Sequence, residues 1–247
     1  MCIMYALAIR KYLEEHGFET LCPRAVLFDM DGVLYDSMPN HAIAWQESMA
    51  RFQIHMTAED AYATEGARGV DTIRMMVRIQ QQREIDEPEA QKMYDEKSRL
   101  FHSLPEAPIM PGILNLMAQI RDLGMQCGVV TGSGQRPLIK RILKDFGAFV
   151  DEAHITTAYD VRRGKPNPDP YLVGLEKAGG LQPWQAVVIE NAPLGIRAGV
   201  AARIFTIGVN TGPLPNDQLL QSGAHLLFPS MTDLSDAWKH LDFNQLL

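Results

Sequence analysis

Two acidic residues at the end of an apolar run have the clearest chemical potential in this chain. Asp29 and Asp31 follow Ala25-Val26-Leu27-Phe28, a run that is typical of a buried strand. Residues at alternate positions past a strand end project to the same side, and Gly32 allows a sharp turn that leaves both carboxylates at the mouth of a sheet. Like charges so close repel unless a cation lies between them. The spacing therefore predicts a divalent metal, a nucleophile beside an acid/base, or both.

Three further polar groups directly follow predicted strands or lie in loops between them. Thr131-Gly132-Ser133-Gly134 offers a hydroxyl and backbone N–H groups to an anion at a helix N-terminus. Lys165 supplies a positive charge in a loop that three prolines stiffen. Glu190-Asn191 follows Val187-Val188-Ile189 and provides hard oxygen ligands of the kind that Mg²⁺ prefers. Together these groups are the parts of a phosphoryl-transfer site.

Each member of this set also has an ordinary structural interpretation. An isolated Asp-x-Asp is most often a turn or a cap, Thr131 alone is a loop residue, and Lys165 alone is a solvated lysine. Glu190 alone could cap the following helix. Asp36 and Ser37 are interpreted mainly as structural residues that lead into a helix. The ordered occurrence of the set at four strand ends is far more specific than any member.

The pattern of apolar segments places these residues on an α/β fold. After Pro111, predicted helices and strands alternate, and this alternation predicts a doubly wound, Rossmann-like parallel sheet with helices on both faces. Ligands of such sheets bind at the carboxyl ends of the strands, where the polar groups lie. The predicted strands after the first are Met125–Val130, Ala153–Thr156, Ala186–Ile189, Ile204–Val209 and Ala224–Phe228.

The chain divides into three predicted regions. Residues 1–23 form an N-terminal helical extension, whose helix Ile3–His16 could be a packed element or a start-site artefact. Residues 24–37 and 109–247 form the α/β core. Residues 38–108 form an inserted helical cap, because this stretch is rich in Gln, Glu, Arg and Met and is bracketed by proline-containing joints.

Composition restricts the class of protein further. The chain has 247 residues, 46% of them hydrophobic, which is enough for one sizeable core and a smaller second domain. The formal net charge of -7 argues against nucleic acid as the main partner. Three sparse cysteines predict reduced thiols and a cytoplasmic protein. No signal peptide is expected, no apolar run approaches a membrane span, and a monomer that does not bind membranes is expected.

The four motifs resemble those of the haloacid dehalogenase-like phosphohydrolase superfamily. Asp29-x-Asp31-Gly32-x-Leu34-x-Asp36 is similar to its first motif, Thr131 to its second, Lys165 to its third and Glu190-Asn191 to its fourth. The resemblance extends from about Arg24 to the C-terminus, and the insert resembles the small cap of the β-phosphoglucomutase-like branch.

The resemblance implies a mechanism. Asp29 would attack phosphorus and form an aspartyl-phosphate, and Asp31, held protonated, would protonate the leaving oxygen and later activate water. Mg²⁺ would be held by the Asp29 side chain, the Asp31 carbonyl, and Glu190 or Asn191 or both. The phosphoryl oxygens would be bound by Thr131, the Gly132 and Ser133 amides, and Lys165.

Several residues depart from the pattern of that branch. The fourth motif commonly ends in Asp, whereas Asn191 here removes one negative charge. In the cap, mutases usually carry Lys before a glycine and Arg three residues after it; this chain has Glu65 and Gly69 there, with Arg68 one position early. We hypothesise that Glu65 contacts Mg²⁺ or its water shell, with Mg²⁺-bound pyrophosphate as a fitting substrate. The alternative is that Glu65 is a solvated loop acid or a helix cap.

His41 and Trp45 lie just inside the insert, where the mutase branch has the same residue types. His41 could contact substrate or orient Asp31, and Trp45 is expected to pack.

The sequence thus predicts a Mg²⁺-dependent phosphohydrolase for pyrophosphate or a small phosphate monoester, with Glu65 and Arg68 reaching the substrate on cap closure. A β-phosphoglucomutase is the alternative enzyme. A receiver-like phospho-acceptor domain is disfavoured by chain length and by the insert, and a catalytically dead binding module by the complete motif set.

Overall fold

A six-stranded parallel sheet forms the centre of the molecule. The computed structural model describes residues 2–133, 136–241 and 243. The strand order is β3-β2-β1-β4-β5-β6, so that the first strand lies in the middle of the sheet. The strands are β1 Ala25–Phe28, β2 Gln126–Val130, β3 Ile155–Thr156, β4 Ala186–Glu190, β5 Phe205–Val209 and β6 Leu226–Phe228. The predicted fold class, a doubly wound parallel sheet with an inserted helical segment, is confirmed.

Helices connect the strands and build the insert. Five of them, α2 to α6, lie between β1 and β2; α2 to α5 form the insert, whereas α6 and the remaining helices flank the sheet. The helices are α1 Cys2–His16, α2 Met38–Ala50, α3 Ala58–Ala63, α4 Gly69–Gln81, α5 Glu87–Ser103, α6 Ile113–Asp122, α7 Arg136–Phe146, α8 Asp169–Lys177, α9 Pro193–Ala201, α10 Asn216–Gln221 and α11 Met231–Ala237. Within the described part of the chain, no helix is both long and apolar enough to cross a bilayer.

Alternation along β1 divides the core into two layers. Val26 and Phe28 belong to one apolar cluster and Ala25 and Leu27 to the other, as expected when successive strand residues face opposite sides. The first cluster is covered by α1, α6, α7 and α11, and the second by α8 and α9. Because both faces are covered, the strands are mostly apolar along their length, with Thr206 inside β5 as a buried exception.

The N-terminal helix α1 is a packed element of the main core. Tyr5, Ile9, Tyr12 and Leu13 are buried in the same cluster as the sheet. The Tyr12 hydroxyl donates to the carbonyl of Arg203 at 2.8 Å. Of the two alternatives that the sequence left open for this helix, the structure favours the packed one.

The inserted helices have an apolar cluster of their own. Trp45, Met49, Ile73 and Met93 are buried within it, and Ile196 of α9 extends it toward the sheet domain. The two segments that join the insert to the rest of the chain run side by side: the Asp36 amide donates to Pro108 at 3.0 Å and the Met110 amide to Leu34 at 2.9 Å. The insert is therefore attached through one narrow, paired connection.

The element bounds differ from the sequence prediction mainly at the sheet edges. The predicted strand Ala153–Thr156 is only Ile155–Thr156, because Asp151 accepts a hydrogen bond from the Ala153 amide and starts a 3₁₀ turn there. The predicted strand Ala224–Phe228 begins at Leu226. Edge strands have a partner on one side only, so local turn chemistry decides where they start.

His225 links α1 to the sheet and should make stability depend on pH. Its Nδ1 accepts from the Thr206 amide at 2.9 Å, and its ring stacks on Phe205 and meets Tyr12 edge-on. Burial lowers the pKa of His225 from 6.5 to about 4; the Thr206 hydrogen bond and Glu15 oppose this shift, whereas His16 and Lys11 add to it. The neutral ring is thus the form that the folded chain favours.

We predict that protonation of His225 lowers the stability of the folded protein in acid, and that His225→Asn abolishes this part of the loss. Since the folded-state pKa is the lower one, the contribution of the neutral ring is complete above about pH 6.5 and is lost as the pH falls toward 4, by about 3 kcal/mol. Asn at 225 keeps an acceptor for the Thr206 amide but does not titrate. Urea unfolding at pH 7 and pH 4.5 measures the difference; an equal loss in both proteins would contradict the assignment to His225.

Candidate active site

The register of the sheet brings the polar strand ends together. β1 pairs with β2 on one side, with Phe28 opposite Val129, and with β4 on the other, with Phe28 opposite Ile189. Asp29 therefore lies next to Glu190 and close to Thr131. The chain order reverses between β1 and β4, and such a switch point is where open α/β sheets bind ligands.

Lys165 is the centre of a buried charge cluster. Its side chain is only 2% exposed, and the ammonium group forms ion pairs with Asp29 Oδ1 and, at 2.6 Å, with Glu190 Oε1. It also donates to the Val130 carbonyl at 3.3 Å. Burial alone would lower the pKa of Lys165, but the Asp29 and Glu190 carboxylates raise it, so the ammonium stays charged. Lys165 thus joins the strand ends of β1, β2 and β4.

The Glu190 carboxylate is held from several directions. The Tyr171 hydroxyl, fully buried on α8, donates to Glu190 Oε1 at 2.8 Å. The amides of Asn191 and Ala192 donate to Oε2 at 3.1 and 3.3 Å. Gly195 leaves room for this carboxylate, because a Cβ at that position would lie 1.7 Å from Oε1. Glu190 is therefore fixed in one orientation.

The donor set at the strand ends fits a magnesium ion. The side-chain oxygen of Asn191 is buried and has no hydrogen-bond partner, which is costly unless a ligand satisfies it. Among the described residues no three His, Cys, Asp or Glu side chains form a metal-binding group. The predicted set is consistent with this, because it combines two carboxylates with an amide and a backbone carbonyl, all hard oxygen donors.

Asp31 faces the insert. Its Oδ1 accepts from the Ser37 hydroxyl at 2.6 Å and lies 3.3 Å from Nε2 of His41. Burial raises the pKa of Asp31, but the His41 imidazole and the hydrogen bonds from His41 and Ser37 lower it overall. The neighbouring groups of the chain thus favour ionised Asp31. The predicted acid step requires protonated Asp31, so a negatively charged substrate must raise its pKa. Ser37 has more than the structural role expected of it.

A buried lysine of α5 completes this chain of contacts. Lys97 Nζ lies 2.8 Å from Nδ1 of His41 and packs over the Trp45 ring at 5.0 Å. Burial lowers the pKa of Lys97 to about 8, against the opposing effects of Glu65 and Asp31. Since an ammonium can only donate, His41 carries its proton on Nε2 and donates toward Asp31. Lys97, His41 and Asp31 thus form a directed hydrogen-bond chain.

The loop of the insert that carries Glu65 lies against the strand ends. A Cβ on Gly66 would lie 3.2 Å from Cδ of Lys165 and 3.9 Å from the amide of Gly195. Burial raises the pKa of Glu65, and Asp31 adds to this shift, whereas His41 and Lys97 oppose it. Glu65 therefore shares one electrostatic environment with Asp31, His41 and Lys97.

A cavity of about 330 Å³ lies between the strand ends and the insert. It is lined by residues from both, including Asp29, Asp31, Thr131, His41, Glu65 and Lys97. Gly132 and Ser133 also line it, but the Ser133 amide already donates to Thr131 Oγ1 at 3.1 Å. A phosphoryl oxygen would have to compete with that bond. Gly134, the last residue of this motif, lies outside the described residues.

Arg68 is placed differently from the other predicted site residues. Its side chain is exposed and pairs with Glu87 at 2.9 Å, at the start of α5. It is not among the described residues that line the cavity. Its guanidinium is therefore engaged outside the site.

Sequence reasoning missed two residues of this site. Lys97 occurs in a charged stretch of helix with no motif, and Tyr171 follows the Lys165 loop as an apparent core residue. The only available signal for Lys97 was its position on the apolar side of α5, beside the buried Ala90 and Met93. Contacts across the cap and between β4 and α8 define the roles of both, and sequence spacing does not reveal such contacts.

Comparisons with known proteins agree with this geometry. A profile of the haloacid dehalogenase-like hydrolase family matches residues 23–203, and the chain belongs to that family. It is 31% identical to hexitol phosphatase A of Escherichia coli strain K12 over 192 residues, 76% of this chain and 83% of that protein. It is 26% identical to the β-phosphoglucomutase of Bacillus subtilis strain 168 over 230 residues, 90% of this chain and 96% of that one.

A solved structure from Bacteroides vulgatus, described as a candidate β-phosphoglucomutase, is similar over nearly the whole molecule. The TM-score is 0.94 at 46% identity, with 99% of this chain and 100% of that one covered. The predicted family is confirmed, and the protein is an enzyme of the haloacid dehalogenase-like hydrolases, a phosphohydrolase by class. These matches test neither the individual site residues nor the domain bounds, which stay predictions.

Lys97 should produce a basic limb in the pH profile. As the pH rises through about 8, Lys97 loses its proton, and the positive charge that orients His41 toward Asp31 is lost. We expect kcat/KM to fall above about pH 8 in the wild type, and Lys97→Arg, which keeps its charge, to shift that limb upward. Lys97→Met should lower kcat/KM across the range. Lys92→Met, at an exposed position of the same helix, is the control. An unchanged limb in Lys97→Arg would contradict the assignment.

Proposed function

We propose that this chain is a Mg²⁺-dependent phosphohydrolase that forms an aspartyl-phosphate at Asp29. The observation that carries the proposal is the pairing of Asp29 and Glu190 with the buried Lys165 beneath a cavity that Thr131 and Asp31 also line. Phosphoryl transfer depends on positioning and on neutralising charge, and this cluster provides both.

The reaction follows from the groups present. Asp29 attacks phosphorus, the bond from phosphorus to the leaving oxygen breaks, and Asp31 delivers a proton to that oxygen. Water then attacks the aspartyl-phosphate, Asp31 takes its proton, and phosphate leaves with Asp29 regenerated. Throughout, Lys165 neutralises negative charge next to the nucleophile, and His41 keeps Asp31 oriented.

The Asp29 side chain, the Asp31 carbonyl, Glu190 and Asn191 would hold the magnesium ion. The orphaned Asn191 oxygen supports this set. When bound, Mg²⁺ supplies positive charge that stabilises the transferring phosphoryl group and its leaving oxygen. An amide at 191 leaves the site one negative charge poorer than a carboxylate would, which favours a highly anionic substrate.

The insert, residues 38–108, is proposed to act as a cap over a core of residues 24–37 and 109–247. The narrow paired connection supports a hinge at that place, although the apolar cluster of the insert also includes Ile196, Leu214 and Leu219 of the core. Closure would exclude water and bring Glu65, His41 and Lys97 to the substrate. A monomer in a reducing, cytoplasmic environment is proposed, and the unpaired thiols of Cys22 and Cys127 support the reducing environment.

Inorganic pyrophosphate is the first proposed substrate, and a small sugar or polyol phosphate is the second. Glu65 lies in the cavity wall where it could accept from metal-bound water or, once protonated, donate to a phosphate oxygen. The names of several relatives favour a phosphate monoester of a sugar or polyol, in which case Glu65 would accept from a substrate hydroxyl.

A β-phosphoglucomutase is the alternative, and two observations favour it. Several similar proteins carry that name, and the contact of His41 with Asp31 couples acid/base function to the cap. Against it, the loop that would supply cations for a second phosphate provides Glu65 in the cavity and directs Arg68 to Glu87, so that Lys97 is left as a cation of the cap wall, where it contacts His41.

The decisive assay compares substrates with Mg²⁺ present. We expect phosphate release from pyrophosphate with a kcat/KM at least a hundredfold above that of hexitol and hexose phosphates, about 2.7 kcal/mol of transition-state preference. Asp29→Asn should abolish turnover with every substrate. Rapid conversion of β-glucose 1-phosphate to glucose 6-phosphate, with pyrophosphate inert, would establish the mutase instead.

Glu65 should separate the two hydrolase substrates. Glu65→Ala is expected to lower kcat/KM for pyrophosphate at least tenfold and to weaken its Mg²⁺ dependence, since the group that faces the metal or its water is removed. Glu65→Gln tests whether charge or hydrogen bonding matters. Glu59→Ala, at an exposed acid of α3 in the same insert, serves as the control. Unchanged pyrophosphate turnover in Glu65→Ala would exclude Glu65 from the site.

A further inference from the structure

On the cap side of the cavity, the Tyr94 ring fills the space that a side chain at position 69 would need. A Cβ at Gly69 would lie 2.1 Å from Cε2 and 2.2 Å from Cδ2 of the Tyr94 ring. Gly69 is the first residue of α4 and is not among the described glycines with positive φ. Its backbone therefore accepts any residue, and only the close approach of the ring requires glycine there.

The Tyr94 ring is part of the active-site wall. Tyr94 and Gly69 both line the cavity, together with Glu65 and Asp31. The ring centroid lies 6.3 Å from that of Trp45 and 6.0 Å from Nζ of Lys97. Burial raises the pKa of the Tyr94 hydroxyl, and the charges of Glu65 and Asp31 add to this shift, which agrees with its place beside them. The ring thus lies between the loop that carries Glu65 and the Lys97 side chain.

A side chain at position 69 would have to displace this ring. Position 69 is where mutases of the branch that this chain resembles usually carry an arginine for a second phosphate. Here the aromatic ring covers that place, and the neighbouring Arg68 pairs with Glu87 outside the cavity. The same residue pair therefore leaves position 69 without a cation and puts an aromatic ring in the cavity wall at that place.

We propose that Tyr94, packed on Gly69, is a specificity-determining residue that limits the length of the substrate to one phosphoryl group and a small leaving group. The filter favours pyrophosphate over hexose phosphates and excludes hexose bisphosphates. This inference rests on the proposed phosphohydrolase function and names the feature that selects its substrate class.

Tyr94→Ala tests the filter, with Tyr94→Phe as the matched control. Phosphate release is measured with pyrophosphate, glucose 6-phosphate and glucose 1,6-bisphosphate. We expect Tyr94→Ala to raise the ratio of kcat/KM for either glucose phosphate to that for pyrophosphate at least tenfold, and Tyr94→Phe to leave it within about threefold. If Tyr94→Ala does not fold, Tyr94→Leu replaces it with the same expected direction.

A second measurement tests the packing without activity. Gly69→Ala should lower Tm by about 5 °C in the wild-type background and by less than about 2 °C in the Tyr94→Ala background, since the added methyl then has room. Equal shifts in the two backgrounds would overturn the proposed contact.

If the wild type releases phosphate but Tyr94→Ala leaves the substrate ratio unchanged, the filter alone is wrong. If the wild type hydrolyses none of these substrates, the proposed function fails, and the filter fails with it.

Discussion

The buried ammonium of Lys165 is the interaction on which the rest of the site depends. Asp29 and Glu190 lie at neighbouring strand ends and are both buried, so each would be costly to ionise without a partner. One cation between them offsets part of that cost, although burial and the neighbouring Glu190 still hold the pKa of Asp29 well above its usual value. This arrangement requires β1 and β4 to lie side by side in register, and it requires glycine at position 195 in the first turn of α9 so that the Glu190 carboxylate has room.

Chemistry and selectivity come from different parts of the chain. In the proposed mechanism the strand ends of the sheet supply the nucleophile, the phosphate-binding hydroxyl and the oxygen donors, whereas the insert supplies His41 and Lys97 beside the proposed acid and part of the cavity wall. Asp31 is where the two parts meet, because Ser37 and His41 hold its carboxylate and Lys97 holds His41. An open insert would break this chain of contacts, so the proposed acid/base would be fully oriented only under the closed cap. Such a division allows relatives with one fold to act on different phosphorylated compounds.

Much of the fold was accessible to sequence reasoning because its signals are local. Apolar runs of strand length that alternate with helices identified a parallel sheet, and the polar residues that follow those runs identified its ligand-binding edge. Edge strands and helix starts were less accurate, as at Ile155, where Asp151 starts a turn that shortens the strand. The status of α1 also stayed open, because an amphipathic helix looks the same whether it packs on a core or not; the burial of Tyr12 and Leu13 is a tertiary fact.

By itself, the sequence determined the class of fold, the family and the identities of the groups proposed to carry the reaction, since residue types at strand ends are set along the chain. Only the tertiary structure decided how those groups pair. In the folded chain Arg68 pairs with Glu87 outside the cavity, Lys97 of α5 contacts His41, and the Tyr94 ring packs on Gly69. Each of these contacts joins two different segments of the insert. Packing and burial select the partner there, and no sequence spacing encodes that choice.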